Sequence, residues 1–400
     1  MRAAWRIAAI GLACLILPAS AIGADRPPIT LLVSIDGFRA DYLQRGLTPA
    51  LGALAAGGVT GPMRPSFPTK TYPNHYAIVT GLRPDRNGIV ANRFEDPAHP
   101  GQVFTQAAHK DGFWWDEAEP IWVGAEKAGI RTAPLFWPGS DTKIQGRWAS
   151  TWQHYDMDLT DRQRVDAAID LLRRPAATRP RFLTLYFDEV DTEGHHHGPD
   201  SAELAQALRQ VDGTIAYLRA ELAAIGQPVN LVIVADHGMI ATDPTRVVLV
   251  DTIANPADFH IVDDGPVATI AAPPGHEAAL AEKLLAPHPH FSCMRKADLP
   301  ARLHYGRNPR VAAFVCLVEP GWLLLGKMPA DGVDRGSHGY DNQAPGMLAL
   351  FIANGPAFAA GRRIPTFDNV DVYPLLRDLI GLPPRPGIDG SDAPFREVRR

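Results

Sequence analysis

Seven residues of this chain carry side chains suited to divalent metal or phosphate chemistry: Asp36, Thr71, Asp191, His195, Asp236, His237 and His338. Asp191-Thr192-Glu193-Gly194-His195 has D-x-x-x-H spacing. Residues four apart share one face of a helix or turn, so both side chains can meet one ion. Asp236 and His237 are adjacent and diverge, so they reach one ion together or stand between two. His338 lies in Gly336-Ser337-His338-Gly339-Tyr340, where the glycines permit close backbone approach. Mixed carboxylate and imidazole donors suit Zn2+ better than Mg2+, which favours oxygen octahedra. Two such ions about 4 Å apart can clamp the attacking and leaving oxygens of an in-line displacement. The set reads as a two-metal phosphoryl-transfer centre. Each motif alone recurs by chance, and their joint occurrence carries the reading. His196 and His197 read as part of a solvated loop and are not assigned as ligands.

The nucleophile belongs to Ser66-Phe67-Pro68-Thr69-Lys70-Thr71-Tyr72-Pro73. Pro73 fits the first helical position, which puts Thr71 and Tyr72 at the helix start. Backbone N–H groups there draw anions, and a metal on a hydroxyl lowers its pKa towards an alkoxide. An N-cap is the competing role for Thr71, and Thr69 is a rival nucleophile on spacing alone.

Strand ends must position these groups. Asp36 follows the apolar run 29–35, Asp191 follows 182–187, and Asp236-His237 follows 230–235. Further strands are expected at 131–136 and 347–353, and helices at 48–57, 161–173, 202–224, 276–285 and 369–381. Ser201 is the expected N-cap of the third helix. Continuous apolar strands alternating with helices predict a doubly wound, mostly parallel α/β sheet with helices on both faces. Ligands bind such sheets outside the carboxyl ends of the strands. Residues 245–330 change character: short strand candidates at 246–250, 259–263, 267–271, 311–317 and 321–326 predict a small antiparallel cap. The expected organisation is one catalytic unit, 25–400, carrying that insertion.

Residues 1–24 read as a cleaved secretory signal, with Arg2 and Arg6 before the apolar stretch 7–17, then Pro18 and Ala19-Ser20-Ala21. The stretch is too short to anchor comfortably in a bilayer, so an exported, periplasmic protein is expected. The net charge is 39 − 44 = −5, and removing the two signal arginines makes it −7. No basic patch suits a nucleic-acid polymer, so any nucleotide substrate is small. Cys293 and Cys316 remain after cleavage of the signal, either paired or as two buried thiols. The oligomeric state is left open.

The ordered motifs Pro68-Thr69-Lys70-Thr71-Tyr72-Pro73-Asn74-His75-Tyr76, Thr80-Gly81-Leu82-Arg83-Pro84 and Gly88-Ile89-Val90 with Asn92 resemble the nucleotide pyrophosphatase/phosphodiesterase family of the alkaline phosphatase superfamily. The likeness continues through Asp191–His195, Asp236–Met239, Gly336–Asn342 and Phe367–Tyr373, and so covers nearly the whole mature chain. It implies an alkaline-phosphatase-like fold and selects Thr71 over Thr69. One zinc would be held by Asp191, His195 and His338, the other by Asp36, Asp236 and His237 with Thr71. Asn92 would donate to a non-bridging phosphate oxygen; without the resemblance it reads as a turn residue. Family members that act on nucleotides sandwich the base between aromatic rings. That implies Tyr72 on one face, with Tyr155 as the candidate for the other. The expected activity converts nucleotide diesters and phosphoanhydrides to nucleoside 5′-monophosphates through a threonyl phosphate. Choline- or lipid-type diesterase, phosphomonoesterase and non-catalytic zinc protein are the alternatives. For a monoesterase, Lys70 or Arg39 would have to supply the extra cation. No cysteine begins C-x-P-x-R, which argues against a sulfatase.

Overall fold

The computed structural model describes residues 26–400, so the signal segment expected at 1–24 lies outside the described residues. Labels below follow chain order for the elements that build the site. They are β1 (Ile29–Ile35), α1 (Thr71–Thr80), β2 (Thr132–Pro134), α2 (Asp161–Arg173), β3 (Phe182–Phe187), α3 (Glu189–His197), α4 (Ala202–Ala224), β4 (Val229–Val234) and β5 (Phe351–Asn354). β1 is fully buried and β-branched or leucine-rich, as a strand covered on both faces must be. It pairs in parallel with β3 and β4, Leu31 standing opposite Leu183 and Leu231. The seven-stranded order is Arg362–Arg363, Val59–Thr60, β5, β4, β1, β3, β2.

Helices cover the sheet. α2 opens with a capping box of Thr160 and Gln163, and α4 with Ser201 Oγ accepting from Leu204 N–H. Ser201 is thus the N-cap the sequence predicted. The core runs without a break through Leu31, Val33, Leu185, Ile233 and Phe351.

Four expectations need correction. The strand expected at 347–353 begins at Phe351 and runs antiparallel to β4, so the parallel run is β4-β1-β3-β2. The strand expected at 131–136 stops at Pro134, because Phe136 takes a left-handed φ of 61°. Within 245–330 a four-stranded antiparallel sheet forms, including Phe291–Arg295, which the sequence reading overlooked. The candidates near 246–250 and 321–326 instead pair with each other in parallel. A second apolar cluster lies in this region, and Cys293 and Cys316 stand opposite each other on neighbouring strands, joined by a disulfide. Finally, the helix expected at 369–381 is a 3-10 turn, Asn369–Asp371, followed by the α-helix Val372–Leu379.

Candidate metal centre and nucleophile

Parallel pairing aligns the carboxyl ends of β1, β3 and β4, and the expected acids gather at that edge. Ligand-capable atoms of Asp191, His195 and His338 lie within 4.8 Å of one another, and so do those of Asp36, Asp191 and His237. His237 Nε2 is 2.9 Å from Asp236 Oδ2 and 3.5 Å from Asp36 Oδ1. All seven expected residues therefore meet in one place, with Asp191 shared between the two groups of ligand atoms.

Backbone contacts fix which nitrogen each imidazole offers. His195 Nδ1 donates to the Gly336 carbonyl at 2.9 Å, His237 Nδ1 to Gly238 at 3.0 Å, and His338 Nδ1 to Thr69 at 2.9 Å. Each Nε2 is left with its lone pair towards the carboxylates, the arrangement by which outer contacts prepare metal-binding histidines. Buried oxygens of Asp36, Asp191 and Asp236 have no hydrogen-bond partner. Unsatisfied buried carboxylate oxygens are costly unless a cation meets them. Burial, then the facing Asp236 and Asp191, pushes the Asp36 carboxyl well above its ordinary range. Burial also drives Asp236 up to about 8. Burial holds His338 and His237 low and so uncharged. Burial opposes charge on His195 too, but Asp191 and Asp334 outweigh it and raise the imidazole to about 9. Carboxylate oxygens without partners beside three imidazoles whose Nδ1 atoms are already engaged form a donor set that fits a divalent metal.

Close approach depends on two glycines. Gly37 has φ 66°, and a Cβ there would stand 2.9 Å from both Asp191 Cα and Oδ1. A Cβ on Gly336 would fall 2.3 Å from the Gly194 carbonyl.

α1 starts at Thr71, with Lys70 at the cap position and Pro73 within the first turn. The helix thus begins two residues earlier than Pro73 suggested, because a first-turn proline gives up no intrahelical bond. Thr71 is not the N-cap. Its Oγ1 is 3.3 Å from His237 Nε2 and lines a cavity of about 340 Å3. Thr69 is fully buried, its hydroxyl donating to the Tyr340 carbonyl and accepting from Gly339 N–H. Asn92 Oδ1 accepts from Tyr72 N–H at 3.0 Å, which leaves its NH2 as the free end in the same cavity. Tyr72 packs edge-on to Phe104, and Tyr155 lies edge-on to Tyr186 with the Arg164 guanidinium 4.9 Å from its ring. Both tyrosines line the cavity.

Lys70 turns away to pair with Asp263, while Arg39 binds Asp41 and the Met239 carbonyl. Neither supplies the extra cation beside Thr71. His196 and His197 are exposed to solvent as expected, but they form the last turn of α3 and not a loop.

Several contributors escaped the sequence reading. His75 donates from Nδ1 to the Thr71 carbonyl and accepts at Nε2 from Ser34 Oγ, so neither nitrogen is free for metal. Burial lowers it to about 3. The i, i+4 step from Thr71 was its available signal. Tyr186 OH donates to Asp36 Oδ2 at 2.5 Å, which follows from the register placing Tyr186 beside Ser34. Trp137, His109 and Asp141 wall the cavity and carry no sequence signal of their own. Volume alone would mislead: a cavity of about 530 Å3 beside Arg39 and Arg363 holds none of the seven residues.

A mostly parallel sheet with acids and imidazoles along one carboxyl edge, and a hydroxyl at a helix start, defines an alkaline-phosphatase-like α/β protein with a hydrolase-type site. The chain belongs to the type I phosphodiesterase/nucleotide pyrophosphatase family, whose pattern matches residues 30–341. Ectonucleotide pyrophosphatase/phosphodiesterase family member 1 of Mus musculus is 37% identical over 384 residues, 92% of this chain and 42% of that protein. The chain thus spans less than half the length of that relative. Bis(5′-adenosyl)-triphosphatase of Xenopus laevis is 36% identical over 364 residues, covering 90% of this chain and 79% of the relative. A structure of murine ectonucleotide pyrophosphatase/phosphodiesterase 5, an inactive Thr-to-Ala variant in complex with AMP, superposes with a TM-score of 0.89. It is 33% identical and covers 93% of this chain and 100% of that one.

Proposed function

We propose that this chain is a two-zinc nucleotide phosphodiesterase/pyrophosphatase that releases nucleoside 5′-monophosphates. The carrying observation is that Thr71 Oγ1, the free Asn92 amide and the unsatisfied carboxylates of Asp36 and Asp191 meet at a cavity walled by Tyr72 and Tyr155. Asp191, His195 and His338 would hold one zinc, and Asp36, Asp236, His237 and Thr71 the other. When bound, the ions would acidify the Thr71 hydroxyl and offset phosphate charge. Thr71 Oγ attacks phosphorus in line, giving a threonyl phosphate, and water hydrolyses that ester in a second displacement. Asn92 donates to a non-bridging oxygen as its charge grows. Tyr72 and Tyr155 hold the base, stacking being worth roughly 1–3 kcal/mol per base. The AMP held by the murine relative supports a nucleotide in this chain's cavity.

Residues 25–400 then act as one exported catalytic unit, with 245–330 as its inserted cap. Among the described residues no helix is long and apolar enough to cross a membrane. N-terminal sequencing of the exported protein should read from Ile22 or Asp25.

The test compares a nucleotide aryl diester, a choline diester and an aryl monoester after chelation and after zinc is restored. Zinc-dependent turnover strongest on the nucleotide diester is expected. Preference for the choline ester would remove the base clamp, and absence of turnover would remove the enzyme reading.

A further inference from the structure

A second cavity, of about 430 Å3, abuts the same centre. Asn92, His195 and His338 line both cavities, whereas Tyr72 and Tyr155 line only the first. A diester whose nucleoside lies against the tyrosines must extend its other half into the second. That wall carries Asp263 and Asp264 from the insertion and Asp334 from the loop before His338. Among the described residues Lys70 is the sole Lys or Arg lining it, and its ammonium is paired with Asp263 and donates to the Asp264 carbonyl at 3.4 Å. Arg93, close by in sequence to Asn92, donates to the Val262 carbonyl and does not line the cavity. Asp264 Oδ2 accepts only a backbone N–H, from Gly326 at 3.0 Å. Asp334 is exposed, with Oδ2 3.5 Å from His195 Nδ1. With Asp263 paired to Lys70, the carboxylates of Asp264 and Asp334 set the charge of the cleft, and in the metal-loaded protein His195 would be a neutral ligand.

Resting on the phosphodiesterase reading above, we propose that this is the leaving-group cleft and that its acids select the substrate. It favours diesters that release an uncharged or cationic alcohol over nucleotides that release polyphosphate. The Thr71 Oγ–phosphorus bond forms as the bond to the leaving oxygen breaks. The Thr71 proton passes to solvent, and the departing oxygen takes a proton from water. A polyphosphate leaving group carries its charge past Asp264 and Asp334 within a few ångströms, closer than the Debye length of about 8–10 Å at ordinary ionic strength, so repulsion acts on it and salt weakens it. Specificity here comes from a repulsive element.

Zinc-loaded mature protein would be assayed on three AMP derivatives that share one nucleotide half: an aryl ester, a choline ester and ATP without added magnesium. The kcat/KM for ATP should be at least roughly tenfold below the esters, and added salt should raise it by screening the repulsion. Asp264→Asn, which keeps the acceptor for Gly326 N–H, should narrow the gap several-fold, and Asp263→Asn, which frees Lys70, should narrow it further. The aryl-ester rate should stay within about twofold in both variants. The Asp264 variant and the salt series carry the test if Asp263→Asn folds poorly. An unchanged ATP-to-ester ratio in folded variants, or ATP turnover that falls with salt, overturns the leaving-group assignment while ester turnover leaves the phosphodiesterase reading intact. Loss of turnover on all three substrates in the wild type would instead overturn the reading on which the assignment rests.

Discussion

Thr69 and Thr71 differ by two positions and by almost everything else. Thr69 spends its hydroxyl on the Gly336–Tyr340 segment that carries His338, whereas Thr71 presents Oγ1 to His237 and the cavity. Thr71→Ala should lower kcat by at least about a thousandfold while nucleotide binding and the melting temperature persist, since at this half-buried position it removes the proposed nucleophilic hydroxyl together with only one methyl group. Steady-state kinetics beside equilibrium AMP binding checks this, and near-normal kcat would remove Thr71 from the mechanism. His75 fixes the same residue from behind through the Thr71 carbonyl, and Tyr186 fixes Asp36. Such contacts act on orientation rather than on the substrate.

At the scale of elements, the turn after β1 is a constraint on the candidate site. Gly37 must hold φ 66° while passing Asp191, so Gly37→Ala forces either the turn or the start of α3 to move. A left-handed alanine costs about 1–2 kcal/mol, and displacement of Asp191 should weaken zinc binding about 10–100-fold. Zinc titration by calorimetry reads the second effect, and unchanged affinity would show that the backbone absorbs the methyl elsewhere. The insertion has its own constraint in the disulfide between Cys293 and Cys316, 23 residues apart. Replacing both cysteines by alanine should cost about 2–4 kcal/mol, visible as a lower denaturant midpoint in that sheet. Two free thiols in unreduced, denatured wild type would contradict the bridge.

For the whole molecule, the metal centre joins the ends of β1, β3 and β4 to the N-terminus of α1 and the segment after the insertion, so its charge state bears on global stability. Asp236 rises from 3.8 unfolded to about 8 folded, and His195 from 6.5 to about 9. Both folded values exceed the unfolded ones, so the metal-free fold binds more protons than the unfolded chain. The stability these groups contribute is lost as pH rises through the folded values. Below about 6.5 the depressed histidines, His75 among them, act in the opposite sense. Chelated protein should therefore melt at a lower temperature at pH 8 than at pH 6.5. Zinc should raise the melting temperature most at the higher pH, where its proposed ligands have fewer protons to lose. Thermal melts at the two pH values with and without zinc decide it, and a chelated form equally stable at both would show that the carboxylates relax apart.

Much of this protein follows from its sequence. Continuous apolar runs that end just before Asp36 and Asp236, or a few residues before Asp191, specify strands covered on both faces, and their parallel pairing brings those endings to one edge. The candidate ligands and the pair of candidate hydroxyls were therefore visible locally. Only the tertiary structure sets the surroundings of Thr69 and Thr71 apart on physical grounds, because the difference lies in contacts with a segment some 270 residues away. It likewise decided which imidazole nitrogen each histidine offers, that Lys70 answers to Asp263 and not to the Thr71 cavity, and that β5 runs antiparallel. Side-chain type and periodicity are properties of neighbours along the chain, whereas tautomer, pairing and strand direction depend on which distant groups the closed core brings within hydrogen-bonding reach.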